Sequence, residues 1–362
     1  MRRLTVMFLL LLVAGINTVI CASSAIGAPT DAAGFKRNHI YTPVSQLTGG
    51  GLIVEWDQQL QEIRRIPINA EGTTGATFND RNNLVVITRR ADRVRVVEYD
   101  ASGTAVNEYN TGQGSLLLGS YIDFDPVRKI YAFADGNRVT LLDKDLRFLS
   151  STPSLFRRAS GIAFADDGTL YVTDQLDDEL FRLDANLVTN LQIYAGGFVP
   201  TGIDFDAAGK LLVTYFGDGR LDRFDVSTLN AETVVSGLGY GGISDVLSLP
   251  SGQLLTTDDR NRLNIFTSSG MLLSQTPGVG RFGDSLAFLP VPEPSVLAML
   301  AVGLCAGMLH RCRRFRRVLK SRHASEMLAS GANVLENNHI GLIPSLPPIG
   351  CWTVGIARRN TL

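Results

Sequence analysis

Histidine and cysteine supply most nucleophile–base pairs and transition-metal sites, and this chain carries almost none where a catalytic domain would sit. The histidines are His39, His310, His323 and His339, and the cysteines are Cys21, Cys305, Cys312 and Cys351. A Ser-His-Asp or Cys-His arrangement needs an imidazole beside its nucleophile, so neither can be assembled in the middle of the chain, nor can a His-rich zinc or iron site. What remains is carboxylate chemistry with a hard, oxygen-seeking cation. Asp245, Asp284 and Asp204 are the candidate metal ligands, the first two at plausible channel positions, with Asp204, like Asp123, able to join if its strand rotates. The competing reading of such aspartates is structural: Asp accepts backbone hydrogen bonds at strand ends and in turns, as Asp166-Asp167-Gly168 illustrates. No catalytic residue is assigned and no cofactor is expected; a Ca2+ ion held among channel aspartates without catalysis stays open.

Those residues have to be positioned by a scaffold, and composition bounds it. The 362 residues are 45% hydrophobic and 19% charged, a globular balance with room for a sizeable core. A formal net charge of -1 with interspersed signs gives no basic face to track phosphates, which argues against nucleic acid as a partner. With no cysteine in the central region, no disulfide can staple it, so packing alone must hold it.

The central region repeats itself at roughly 40 residues, the length of a four-stranded propeller blade. Opening strands are Gly75-Ala76-Thr77-Phe78, Tyr121-Ile122-Asp123-Phe124, Gly161-Ile162-Ala163-Phe164, Gly202-Ile203-Asp204-Phe205, Ser244-Asp245-Val246-Leu247 and Asp284-Ser285-Leu286-Ala287-Phe288. After each comes a polar turn, a second strand such as Thr169-Leu170-Tyr171-Val172, and a third ending on an apolar residue and usually Asp, as in Arg182-Leu183-Asp184. The last opening has no further strands behind it. They stand at the other end of the region: His39 to Thr42 matches a second strand, Leu52 to Asp57 a third and Gln61 to Ile66 a fourth. The expected fold is therefore all-β, a six-bladed β-propeller closed by one blade shared 1+3 between the ends, so that neither end is left as an open edge. Trp56, Phe78, Phe124, Phe164 and Phe205 are expected to pack between blades.

The stretch Gly161 to Asp174, Gly-Ile-Ala-Phe-Ala-Asp-Asp-Gly-Thr-Leu-Tyr-Val-Thr-Asp, resembles NHL repeats and the gluconolactonase-like propellers of the senescence-marker-protein family, over about residues 39 to 290. The resemblance implies a channel metal held by a Glu from an early Glu-Gly-Pro motif, by Asn residues opening later strands and by an Asp. Here Glu55 is followed by Trp56-Asp57 and sits in a third strand, and Thr201-Gly202 stands where Asn-Gly is usual. A metal-dependent lactonase is thus the alternative to a non-catalytic binding propeller.

Both ends carry targeting signals. Met1-Arg2-Arg3, a mostly apolar run from Leu4 to Ala22 and the small residues up to Ala28 form a secretory signal peptide (residues 1–27), with cleavage expected between Gly27 and Ala28 and a short linker over 28–38. After the propeller (39–290) come Pro292-Glu293-Pro294, an apolar run from Val296 to Leu309, and Arg311, Arg313, Arg314, Arg316 and Arg317. The segment 291–317 resembles the PEP-CTERM sorting signal, which implies processing by a membrane transpeptidase of the exosortase type, often alongside exopolysaccharide production. A helix over the apolar run is about 21 Å long at ~1.5 Å per residue, short of the ~30 Å hydrocarbon core. The arginines hold its far end in the cytoplasm. The expected course is export by signal peptidase, a transient inner-membrane intermediate, then release to the cell surface or medium, where exopolysaccharide or envelope proteins are the candidate partners. The tail 318–362 departs from the usual pattern and reads as unstructured; retention in the membrane as part of an envelope complex is the remaining alternative.

Overall fold

The period-2 alternation folds into four-stranded antiparallel sheets. The computed structural model describes residues 34–290 apart from 46–49, 92, 113–119, 238–241, 278–280 and 283–284. Among the described residues five such sheets are made of strands consecutive in the chain, and a sixth, whose inner strand comes as two short pieces, closes the ring. Their inner strands are Gly72–Phe78, Ile122–Asp125, Ala159–Phe164, Pro200–Phe205 and Ile243–Ser248, and in the closing sheet the short pieces Arg281–Phe282 and Ala287–Phe288; blades one to six are numbered in that order. The described strands run from Ile40 to Phe288 with no helix between them. The fold is an all-β, six-bladed propeller.

The shared blade has the expected composition. Ile40–Ser45 pairs with Gly51–Trp56 on one side and with both carboxy-terminal pieces on the other, Val44 opposite Phe282 and Ile40 opposite Phe288. Glu62–Ile68 completes the sheet as its outer strand. The Asn38 amide donates to the Leu289 carbonyl at 2.6 Å, extending this seam beyond the strands.

The aspartates that end third strands explain the tight turns that follow. Asp57, Asp100, Asp143 and Asp184 each accept from the backbone N–H groups two and four residues onward, at 2.8 to 3.0 Å. This geometry demands one residue in the left-handed region, and leucine fills it at Leu60, Leu146, Leu187 and, in the turn after Asp225, Leu229, with φ of 59°, 56°, 61° and 60°. Leu60, Leu146 and Leu187 sink into the clusters between blades, which offsets the conformational cost of about 1–2 kcal/mol.

Blades adhere through apolar faces. Phe35, Tyr41 and Phe78 form a mutually edge-to-face trio with centroids 5.1 to 5.3 Å apart, joining blade six to blade one. Trp56 is buried, its indole N–H donating to Thr42 Oγ1 at 2.9 Å. Phe124 is buried as well, while Phe78, Phe164 and Phe205 are half-buried against the inter-blade clusters.

Candidate functional site

The inner strands expose an unpaired edge to the channel, and its N–H groups need acceptors. Three aspartates and one serine supply them in a repeated way. Asp123 of blade two accepts the Phe124 N–H at 2.7 Å and, across the junction, the Phe164 N–H of blade three at 2.8 Å. Asp204 accepts from its neighbour Phe205 and from the Ser248 N–H of blade five at 2.7 Å. Asp245 takes the Val246 N–H and the Leu286 N–H of blade six, both at 2.8 Å. Ser285 Oγ accepts the Ala76 N–H of blade one at 2.8 Å, carrying the seam across the closure.

Close approach of the inner strands depends on glycine. Four of these strands carry a β-bulge in their pairing with the second strand, after Thr73, Ala159, Pro200 and Ile243. At Gly75 a Cβ would stand 2.7 Å from the Tyr121 Cα; at Gly161 it would strike the Thr201 carbonyl oxygen, and at Gly202 the Asp245 side chain. The Tyr121 ring uses the room thus left. Its hydroxyl donates to the Ser244 carbonyl at 2.5 Å, joining blade two to the opposite blade five.

Above this tyrosine lies a cavity of about 280 Å³ lined from all six inner strands. Its floor is Tyr121; its walls are mainly Ala76, Ile122, Ala163, Ile203 and Leu286; its mouth is ringed by Phe78, Ser248, Phe288 and the exposed Pro250 and Pro290. The result is a blind cup opening where the inner strands end. Asp123 and Asp204 face it and keep part of their surface open to it. Burial pushes the Asp123 carboxyl up to about 6 and the Asp204 carboxyl up to about 7, the accepted N–H bonds opposing the rise and the Asp123 charge adding to that of Asp204.

The sequence placed Asp245 and Asp284 ahead of Asp123 and Asp204 in the channel, and the structure revises that order. Asp123 and Asp204 both line the cup without any strand rotation. Asp245 aligns with Gly202 rather than with Ile203, because the fourth and fifth inner strands share one register and the same bulge: Ser248 opposes Leu254 as Phe205 opposes Leu211, and Val246 opposes Thr256 as Ile203 opposes Val213. It is therefore nearly buried at the base of the cup, two residues deeper than Asp204. Asp284 lies outside the described residues, as do Gly27, Ala28, Pro292, Glu293, Pro294, Val296 to Leu309 and the arginines 311, 313, 314, 316 and 317. Among the described residues no group of three or more His, Cys, Asp or Glu is arranged to hold a metal, and no helix is long and apolar enough to cross a membrane. Glu55 is buried in its third strand, bonded to His39 Nδ1 at 2.6 Å and to Arg64 Nε. The propeller's one histidine is thus engaged far from the cup's aspartates in the chain. Serine or threonine before each bulge glycine was the overlooked signal: Thr74-Gly75, Ser160-Gly161 and Thr201-Gly202 mark where inner strands bend toward the channel.

No family model and no curated protein matches the chain. Solved structures do. A chain of a nidogen/laminin complex superposes with a TM-score of 0.55 at 15% identity, over 69% of this chain and 97% of its own. A protein of unknown function from Bacteroides caccae gives 0.54 at 10% identity, over 70% and 98%. One from Lactobacillus plantarum gives 0.51 at 14% identity, over 67% and 83%. At such identities the likeness establishes the propeller fold and leaves the chemistry to the site.

Proposed function

We propose that this protein is an exported, non-catalytic propeller that binds a ligand and is sorted to the cell surface through its Pro292-Glu293-Pro294 segment. The observation that carries the non-catalytic half is the employment of the channel carboxylates. Asp123, Asp204 and Asp245 each hold two backbone N–H groups from adjacent blades, so their positions are set by the needs of the inner edge. A catalytic metal would need their oxygens together, yet Asp245 stands at the level of Gly202, two residues along the strand from Asp204. The export half rests on the sequence of the two ends: signal peptidase and an exosortase-type enzyme are the processing partners, with exopolysaccharide or envelope proteins as the surroundings.

The alternative is a metal-dependent lactonase in which Asp204 and Asp245 are joined by Asp284. An assay of the purified chain on lactones and esters with added Ca2+, Mg2+ or Zn2+ separates the two. No turnover above the metal blank is expected. Turnover that Asp245→Ala or Asp204→Asn abolishes would overturn the non-catalytic reading.

A further inference from the structure

The treatment of buried carboxylates elsewhere in the ring singles out two in the cup. Glu98 is paired with Arg81, Asp125 with Arg128, Asp135 with Arg138, Asp222 with Arg220 and Asp258 with Arg262, at 2.5 to 3.0 Å. Asp174, which has no such cation, accepts three backbone N–H groups instead. Asp123 and Asp204 have neither solution. Each receives two N–H groups, no cationic side chain of the described residues is paired with them, and both face an open cavity. Among the described residues, the acidic neighbours of the pair are engaged: Asp125 with Arg128, Asp206 with Arg223, and Asp245 with backbone donors.

A carboxylate oxygen accepts more than one hydrogen bond, so two N–H groups per carboxylate leave acceptor capacity for whatever enters. Ala76, Ile122, Ala163, Ile203 and Leu286 give the walls around the pair a large apolar share beside the polar Thr77, Ser248 and Ser285, an enclosure that strengthens a charge contact and suits an apolar body. We propose that the cup binds a protonated primary amine carried on a small apolar body, the ammonium seated at Asp123 and Asp204 and the body against Phe78, Leu286 and Phe288. The ammonium supplies the kind of cation that arginine furnishes to Glu98, Asp125, Asp135, Asp222 and Asp258. This inference rests on the binding reading above and names its ligand class.

Isothermal calorimetry on the purified full-length chain with cyclohexylmethylamine, and with cyclohexylmethanol as the neutral isostere, tests it. At pH 8 the amine is expected to bind at least about tenfold more tightly than the alcohol, since a charge-assisted contact is worth that much in affinity. At pH 6.5 binding is expected to release protons, because the ammonium favours the ionised carboxylates; the observed enthalpy then varies with the ionisation enthalpy of the buffer. The double variant Asp123→Asn, Asp204→Asn keeps one acceptor oxygen at each position, replaces the other by an uncharged amide NH2, and should lose the preference for the amine. Should that variant fail to fold, Asp204→Asn alone must still reduce both the preference and the proton release. Equal binding of the alcohol, or retention of the amine preference by the variants, overturns the inference and leaves a plain apolar cup, with the binding reading intact. Absence of amine binding also overturns it, whereas only metal-dependent turnover would overturn the non-catalytic reading.

Discussion

At the scale of single residues, the channel aspartates govern how the ring responds to pH. The folded state raises the Asp204 carboxyl to about 7 from an ordinary value of 3.8, and Asp123 to about 6. A carboxyl whose folded value is raised binds its proton more tightly when folded, so its contribution to stability is fullest below about pH 4 and is lost as pH rises toward 7. Asp204→Asn should flatten the stability profile between those limits, gaining on the wild type as pH rises; urea unfolding at pH 4, 6 and 8 reads this directly. Leu229 offers a second test, since it stands at φ 60° yet remains 38% exposed. Leu229→Gly should stabilise by about 0.5–1 kcal/mol, whereas Leu146→Gly, with a buried side chain at φ 56°, should destabilise by about 2 kcal/mol or more. The turn aspartates were legible in sequence because Asp, its spacing and the following left-handed residue recur in blade after blade. Asp123 was not, because its role depends on a neighbouring blade's N–H that no local pattern reveals.

At the scale of strands, glycine and closure set the ring's dimensions. Gly161→Ala would drive a Cβ into the Thr201 carbonyl, a backbone atom with little freedom to yield, and should cost about 3 kcal/mol in thermal or urea unfolding. The shared blade could be recognised from sequence because its missing strands at one end had counterparts at the other. The register of the fifth inner strand could not: Ser244-Asp245 lacks the glycine that marks the bulge in its neighbours, and a one-residue slip reassigns every side chain to the opposite face. Closure has its own consequence. A chain ended at residue 280 would leave Ile40–Ser45 as an unpaired edge and remove Leu286 from the core between blades five and six. It is expected to lose cooperative unfolding and to aggregate, while a chain ended at residue 291 keeps the transition of the full protein.

At the scale of the whole molecule, the propeller is a scaffold whose described interior side chains chiefly hold six blades together around a cup lined from all six inner strands. The function proposed for it joins that cup to the two terminal segments, outside the described residues, that are proposed to act in export and sorting. Intact-mass analysis of the protein recovered from cells, membranes and medium tests the joint claim most directly, since it reads both ends at once. The account predicts a species that begins near Ala28 and ends around Pro292 to Ser295, found at the surface or in the medium. A membrane-bound species that retains residues 296–362 would contradict release by sorting and assign the propeller to a permanently anchored envelope protein.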